Sequence, residues 1–431
     1  MAGRKPAGPK DSMIDLIFGA VGLMFGVLLT TFLALRVRAL RWVLGVAFSV
    51  RAGAALFHRY VSPLPDGVAD AVSFENYAWS LAQQGFVAAL AQFPGYGNGW
   101  GYPWLVSLAY ALADRSPLFM QSLSVIAGTL CVLLAYRLAQ RIWGQDAALR
   151  AAWVTAVFPM LVMYSALTMR EAFIILALLF ALYQAVIWQE SDRLGALLLA
   201  FVGFLIAGFM HGAMLVGAVM LLLLLLLNET KRLCAALKRR NVSFIGLGLV
   251  MVGLVAVLML ASGSLSIPYI GTLAKGLSVD TWIALAQRQA HGGASYPDWL
   301  SPENAAHYLL LLPARIAYFI GAPFPWDIRS FPQLLGLVDG LLYLAVSFLI
   351  LRNFHAIWHN PAARLVLLIC AALVFVYAIG VGNFGTGLRH RAKFIVPALV
   401  MAAPWLPHLR WLVLRRVRYV EGNNASGSAS A

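Results

Sequence analysis

Three acids stand in the first long polar interruption of a chain that is otherwise a succession of apolar segments. The stretch from Pro65 to Pro103 reads PDGVADAVSFENYAWSLAQQGFVAALAQFPGYGNGWGYP and carries Asp66, Asp70 and Glu75 ahead of an aromatic and glycine-rich run. A carboxylate held at a membrane surface can take the proton of a hydroxyl as that oxygen attacks, which makes Asp70 the first candidate for a general base. The commoner role for such an acid is a helix N-cap or a solvated charge. Asp66, between Pro65 and Gly67, suits a turn. Glu75 is expected to lie off the Asp70 face and to be exposed.

A second constellation lies near the far end. In LRHRAKFIVP, Arg389, His390, Arg391 and Lys393 precede an apolar segment, with Gly382, Gly385 and Gly387 just upstream. Guanidinium forks match phosphate oxygens bidentately, and histidine adds a donor or a titratable group. Glycines there allow close backbone approach to an anion. The competing role is snorkelling to lipid head groups. Arg170-Glu171, in YSALTMREAF, either anchors a helix end or serves a ligand phosphate and a catalytic acid. His211 stands between two apolar segments, and His291 sits with Lys275, Asp280, Arg288 and Asp298 in a long polar loop that reads as a lid or as a plain solvated loop. Arg51 and Asp339 fall inside apolar runs, where a charge implies a partner or a function. Asp339 is expected to pair with Arg315 or Arg329. No phosphate-binding glycine loop, zinc-protease motif, nucleophile elbow or haem motif occurs, and Cys131, Cys234 and Cys370 are too scattered for a metal site or a disulfide framework.

The elements that must position these residues are transmembrane helices. Of 431 residues, 61% are hydrophobic and 11% charged. No soluble domain of this size hides that much apolar surface. Apolar runs of ~17–23 residues exclude the short alternating strands of a membrane barrel. The expected fold is all-α and polytopic, a single integral-membrane domain over residues 1–420 with a flexible tail at 421–431. Helices are predicted at 13–35, 39–58, 102–114, 118–138, 149–167, 171–189, 194–210, 212–228, 242–261, 307–322, 333–351, 365–382 and 394–413, of which 102–114 and 307–322 are short for a span. About 11–13 spans result. The first run, at about 23 residues and without a cleavage site, reads as a membrane helix and not a signal peptide.

The net charge of +15 is that of a membrane protein with basic cytoplasmic loops, and it does not call for nucleic acid. Loops at 137–150, 231–240, 352–364 and 415–418 carry this basic excess. Placing them in the cytoplasm puts Arg170-Glu171, His211, the 262–306 loop and Arg389–Arg391 on the opposite face. The 59–101 loop joins them if the basic 36–41 segment is cytoplasmic, an assignment that leaves the basic N-terminus outside. Every polar cluster suited to chemistry therefore converges on the non-cytoplasmic face.

Asp70-Ala71-x-x-Phe74-x-x-x-Ala78-x-x-Leu81, followed by Gly101-Tyr102-Pro103, resembles the first-loop signature of GT-C fold glycosyltransferases of the protein-mannosyltransferase and aminoarabinose-transferase type. Ala71 and Phe74 stand where that signature has a second acid and a tyrosine, which bears on metal involvement and on the subfamily. The similarity continues through Gln121–Trp143 and Pro159–Glu171 and covers roughly residues 45–215; LRHRAKFIVPAL is similar to a late basic-to-proline element of such enzymes and of surface-polysaccharide polymerases. The resemblance implies an inverting transfer from a polyprenyl-phosphate-linked sugar to a glycan, lipid or protein acceptor. It implies Asp70 as base, Glu171 as a supporting acid, and Arg389, His390, Arg391 and Lys393 on the donor phosphate. Asp66, Glu75, Tyr102, Arg170, His211 and His291 are the further candidates for substrate contact. No cofactor is expected, with a divalent metal left open. The expected setting is a bacterial inner membrane, with the site facing the periplasm or exterior. The alternatives are an exopolysaccharide or O-antigen polymerase acting on lipid-pyrophosphate-linked repeats and, from another class, a flippase or transporter. Transporters commonly show inverted repeats, and none is visible here.

Overall fold

A computed structural model describes residues 9–68, 70–238, 244–264, 271–276, 278–289 and 294–408. His291, the basic 415–418 segment and the C-terminal tail lie outside the described residues. In chain order the helices are α1 (Pro9–Arg36), α2 (Arg41–Tyr60), α3 (Asp70–Ala82), α4 (Phe86–Ala91), α5 (Gly101–Ala113), α6 (Pro117–Trp143) and α7 (Gln145–Val157). They continue as α8 (Pro159–Ser165), α9 (Glu171–Ser191), α10 (Leu194–Met210), α11 (Leu215–Lys238), α12 (Phe244–Ala261), α13 (Leu273–Gly276) and α14 (Val279–Gln289). The last are α15 (Ala305–Gly321), α16 (Phe331–Arg352), α17 (Phe354–His359), α18 (Pro361–Gly380) and α19 (Phe384–Ala402). The protein is an all-α polytopic membrane protein. Among the described residues seven helices are long and apolar enough to cross a bilayer, or eight if the bent α7–α8 pair is one span, and three shorter apolar helices accompany them.

The ends of the helices follow from local chemistry. Pro117 and Pro361 occupy first turns, where a missing N–H costs nothing. Ser116 Oγ accepts from Phe119 N at 3.3 Å, and Asn360 Oδ1 accepts from Ala363 N at 3.1 Å. The predicted 149–167 helix is broken: α7 and α8 meet at a 58° bend. Pro159 has no N–H to give the Thr155 carbonyl, and it drives Phe158 into the extended region (φ −61°, ψ 121°). Arg51 repairs the break. Its guanidinium donates to Ala156 O at 2.7 Å, Thr155 O at 3.0 Å and Ala47 O at 3.0 Å. Arg51 is thus a fully buried cap within the bundle.

Helices without water between them close on small side chains. Ala177, Ala181 and Ala185 of α9 face Ala196, Ala200, Gly203 and Ala207 of α10, all buried. A Cβ added at Gly203 would stand 2.8 Å from Ala181 Cβ and 3.0 Å from its Cα, so these two backbones are as close as they can be.

Ion pairs and caps sort the loops into two ends. At one end Arg141 pairs with Glu190, Gln189 donates to Pro361 O at 3.1 Å, Asn360 to Ile142 O at 3.0 Å, and Arg150 to Pro404 O at 2.6 Å. This end gathers the basic 137–150 and 352–364 loops, and Arg232 pairs with Asp192 just beyond the end of α9. At the other, Asp15 pairs with Arg59 at 2.7 Å and accepts from Leu118 N at 2.8 Å, which places the start of α1 beside the 59–101 loop. The 262–306 loop also returns to this second end, where Tyr296 N donates to Gly382 O at 3.0 Å and Phe384 N to Ala294 O at 2.7 Å.

Candidate functional site

The decisive local difference from the sequence expectation is where the last helix begins. α19 starts at Phe384, not near 394, because Asn383 caps it: its Oδ1 accepts from Gly385 N at 2.8 Å and Thr386 N at 3.5 Å. The basic cluster therefore lies inside a helix. With 3.6 residues per turn, Arg389, His390 and Lys393 share one face while Arg391 turns to another.

On the first face the three residues converge with the other two constellations. Arg389 forms an ion pair with Asp70, whose side chain is 44% exposed against 15% for Arg389. Arg389 Nε is also 3.8 Å from Glu171 Oε1, Lys393 Nζ is 3.8 Å from the same oxygen, and Arg170 Nε is 3.9 Å from it. Glu171 is completely buried, and neither of its oxygens accepts a hydrogen bond. What offsets its burial is charge: three cations surround it, and it is the first residue of α9, at the positive end of that helix. The arrangement makes Glu171 a counter-charge that spaces Arg170, Arg389 and Lys393 around itself.

Behind this cage lies a second polar group. Lys393 Nζ and His390 Nδ1 share a hydrogen bond of 2.8 Å, and His211 Nδ1 and Tyr377 Oη one of 2.9 Å. The His211 and His390 rings meet edge-on at 5.2 Å, and Lys393 Nζ stands 5.4 Å over the Tyr377 ring. These groups of the 384–393 half of α19 and the 211 turn lie outside the candidate spans. Burial is the largest cause in each case: it pushes both imidazoles below their usual range and brings the Lys393 ammonium down to about 7, with Glu171 opposing that fall.

Arg170 is a pin. It donates to Gly99 O at 2.6 Å and Met210 O at 3.1 Å and lies 5.3 Å over the Phe74 ring. The GYGNG run before it takes positive φ at Gly95, Gly97 and Gly99 (90°, 74° and 89°), the region glycine enters without penalty. That shape lets Gly97 O accept from Gly212 N at 2.9 Å, so the first loop is fastened to the α10–α11 junction beside His211.

The remaining candidates are placed elsewhere. Arg391 is not with the cluster: its guanidinium donates to Asp339 at 2.9 and 3.2 Å and to the carbonyls of Ile320, Ala322 and Gly336. Asp339 is thus partnered by Arg391 and not by Arg315, which donates to Leu300 O and Val381 O. Glu75 is buried, not exposed, and pairs with Arg115 at 2.6 Å. Tyr102 is buried with its ring 6.2 Å from Phe74 and 5.6 Å from Phe173, a packing position. Asp66 occupies a turn with φ 61° and accepts from Tyr164 Oη at 2.9 Å. Tyr164 and Tyr377 escape a sequence reading because single tyrosines in apolar helices carry no distinguishing pattern. No group of three or more His, Cys, Asp or Glu side chains that could hold a metal ion occurs among the described residues.

Fold and site together define an integral membrane protein with a half-exposed carboxylate backed by a buried cationic cage at the end away from its basic loops. Residues 99–260 match the family model described as Dolichyl-phosphate-mannose-protein mannosyltransferase. This match fits the GT-C resemblance and supports a membrane glycosyltransferase of the GT-C type. It includes Arg170, Glu171 and His211, whereas Asp70 and the α19 cluster lie outside it. No curated protein and no solved structure matches the chain.

Proposed function

We propose that the protein transfers a sugar, with inversion, from a polyprenyl-phosphate-linked donor to an acceptor at the non-cytoplasmic face of a membrane. The observation that carries this reading is the convergence of Asp70 with Arg389, Lys393 and Arg170 around Glu171. The acceptor oxygen attacks the anomeric carbon and its proton passes to the Asp70 carboxylate. The bond from that carbon to the phosphate oxygen breaks, and polyprenyl phosphate leaves with the electron pair. Arg389 and Lys393 stabilise the charge that develops on the phosphate, in a partly dehydrated setting where fixed cations act strongly. Glu171 holds those cations in register.

Arg389 is shared between Asp70 and the cage. A donor phosphate competes for that guanidinium and frees the Asp70 carboxylate, so donor arrival prepares the base. The test compares the purified wild type and Asp70→Asn with radiolabelled polyprenyl-linked sugars and membrane acceptors. Transfer by the wild type and its loss in a folded Asp70→Asn protein are expected. Full activity in that variant would remove Asp70 as the base.

A further inference from the structure

A cavity of about 460 Å³ opens between the turn that carries Asp66, α8, the start of α16 and the first turns of α19. Its wall is apolar, with Met160, Met163 and Leu388, and its polar lining includes Asp66, Arg329 and Gln333. It belongs neither to the cage around Glu171 nor to the segment matched by the family model apart from the α8 residues. Yet it abuts the site: Leu388 precedes Arg389 in α19, and Asp66 acts electrostatically on the Arg389 guanidinium.

We propose that this cavity seats the acceptor, and that the acceptor presents a neutral, polyhydroxylated head group, one sugar ring or two. The inference rests on the transferase reading above. One acid and one base give the polar lining no net charge, which suits hydroxyls, since each both donates and accepts. Tyr164 Oη fixes one Asp66 oxygen at 2.9 Å and so orients the carboxylate. The methionine and leucine wall packs on the C–H faces of a ring or on a short apolar aglycone. Volume decides against the donor's chain: cavities of about 300–1,000 Å³ suit one drug-sized molecule, and this one lies in the lower half of that range. Asp66 and Asp70 both act on the Arg389 guanidinium, which links this cavity to the base.

The test uses the full chain in a non-glycosidic detergent, with Cys234→Ser to remove the exposed thiol; Cys131 and Cys370 are buried. Met163→Cys then reports on the cavity through its rate of labelling by N-ethylmaleimide. n-Octyl β-D-glucoside is expected to slow labelling by about fivefold or more, at concentrations where n-octanol does not, and Asp66→Asn is expected to remove the protection. Equal protection by n-octanol, protection retained in Asp66→Asn, protection by decaprenyl phosphate alone, or no protection at all would each overturn the assignment. Decaprenyl phosphate binding to the same protein, and its loss in Arg389→Gln, reports separately on the transferase reading.

Discussion

Asp70 at the head of α3 and Arg389 in the second turn of α19 form an ion pair that joins the first polar loop to the last helix of the bundle. The pair is the hinge of the proposed chemistry, because one partner is half-exposed and the other reaches back to a buried carboxylate. Asp70→Asn is expected to lower the rate of sugar transfer by roughly 10²–10⁴-fold, the range for a lost general base. Arg389→Gln is expected to cost roughly 10²–10³-fold through lost stabilisation of the leaving phosphate. If the two act on one step, the double variant loses far less than the product of the two effects, which single-turnover measurements on all three proteins would read.

Arg389 and Arg391 are two residues apart and should fail in opposite ways. Arg391 and Asp339 are each 2% exposed and hold α15, α16 and α19 together, so removing either alone leaves an uncompensated buried charge. Arg391→Met or Asp339→Leu is expected to destabilise by about 3–5 kcal/mol, and the double variant to recover only part of it, since the Ile320, Ala322 and Gly336 carbonyls still lose their donor. Thermal unfolding in detergent measures the stability, and transfer per folded molecule should stay near wild type in the double variant. An Arg391 variant that folds normally and loses donor binding would return this arginine to the phosphate site.

Lys393 supplies a pH dependence. With burial bringing its ammonium down to about 7, the side chain is charged below that pH and neutral above it. Affinity for a polyprenyl phosphodiester, whose own charge is constant from weakly acidic to alkaline pH, is expected to fall as pH rises through about 7, by up to about tenfold per pH unit. Lys393→Arg keeps its charge and should flatten that limb. A profile unchanged by Lys393→Arg would show that the ammonium does not face the donor.

The Pro159 break gives a structural prediction. Arg51→Met leaves the Thr155 and Ala156 carbonyls buried and unpaired beside the bend, a loss of about 3 kcal/mol. Arg51→Lys keeps the charge without the fork that spans adjacent carbonyls, and is expected to recover only part of it. A denaturant titration followed by helical signal measures both, with Tm as a cross-check.

Composition and apolar run length determined the class of this protein, since lipid admits only helices for segments of that length and hydrophobicity. Helical spacing puts Asp70, Phe74, Ala78 and Leu81 on one face of α3; the last three are buried there, whereas the Asp70 side chain is 44% exposed. The tendency of polar clusters to gather at the end away from the basic loops was legible as well, because charge patterning is written in the order of the loops. Partnership was not. Glu75 found Arg115, Asp339 found Arg391, and Arg51 found carbonyls exposed by a proline over 100 residues away. Each of these depends on which helices become neighbours, and nothing local encodes that. The start of α19 shows the same limit at a finer scale. A cap by Asn383 and a clamp by the returning 294–296 segment moved the helix start about three turns earlier. That shift alone sent Arg389, His390 and Lys393 to the site and Arg391 to the core, because a helix assigns its side chains to faces only once its register is set.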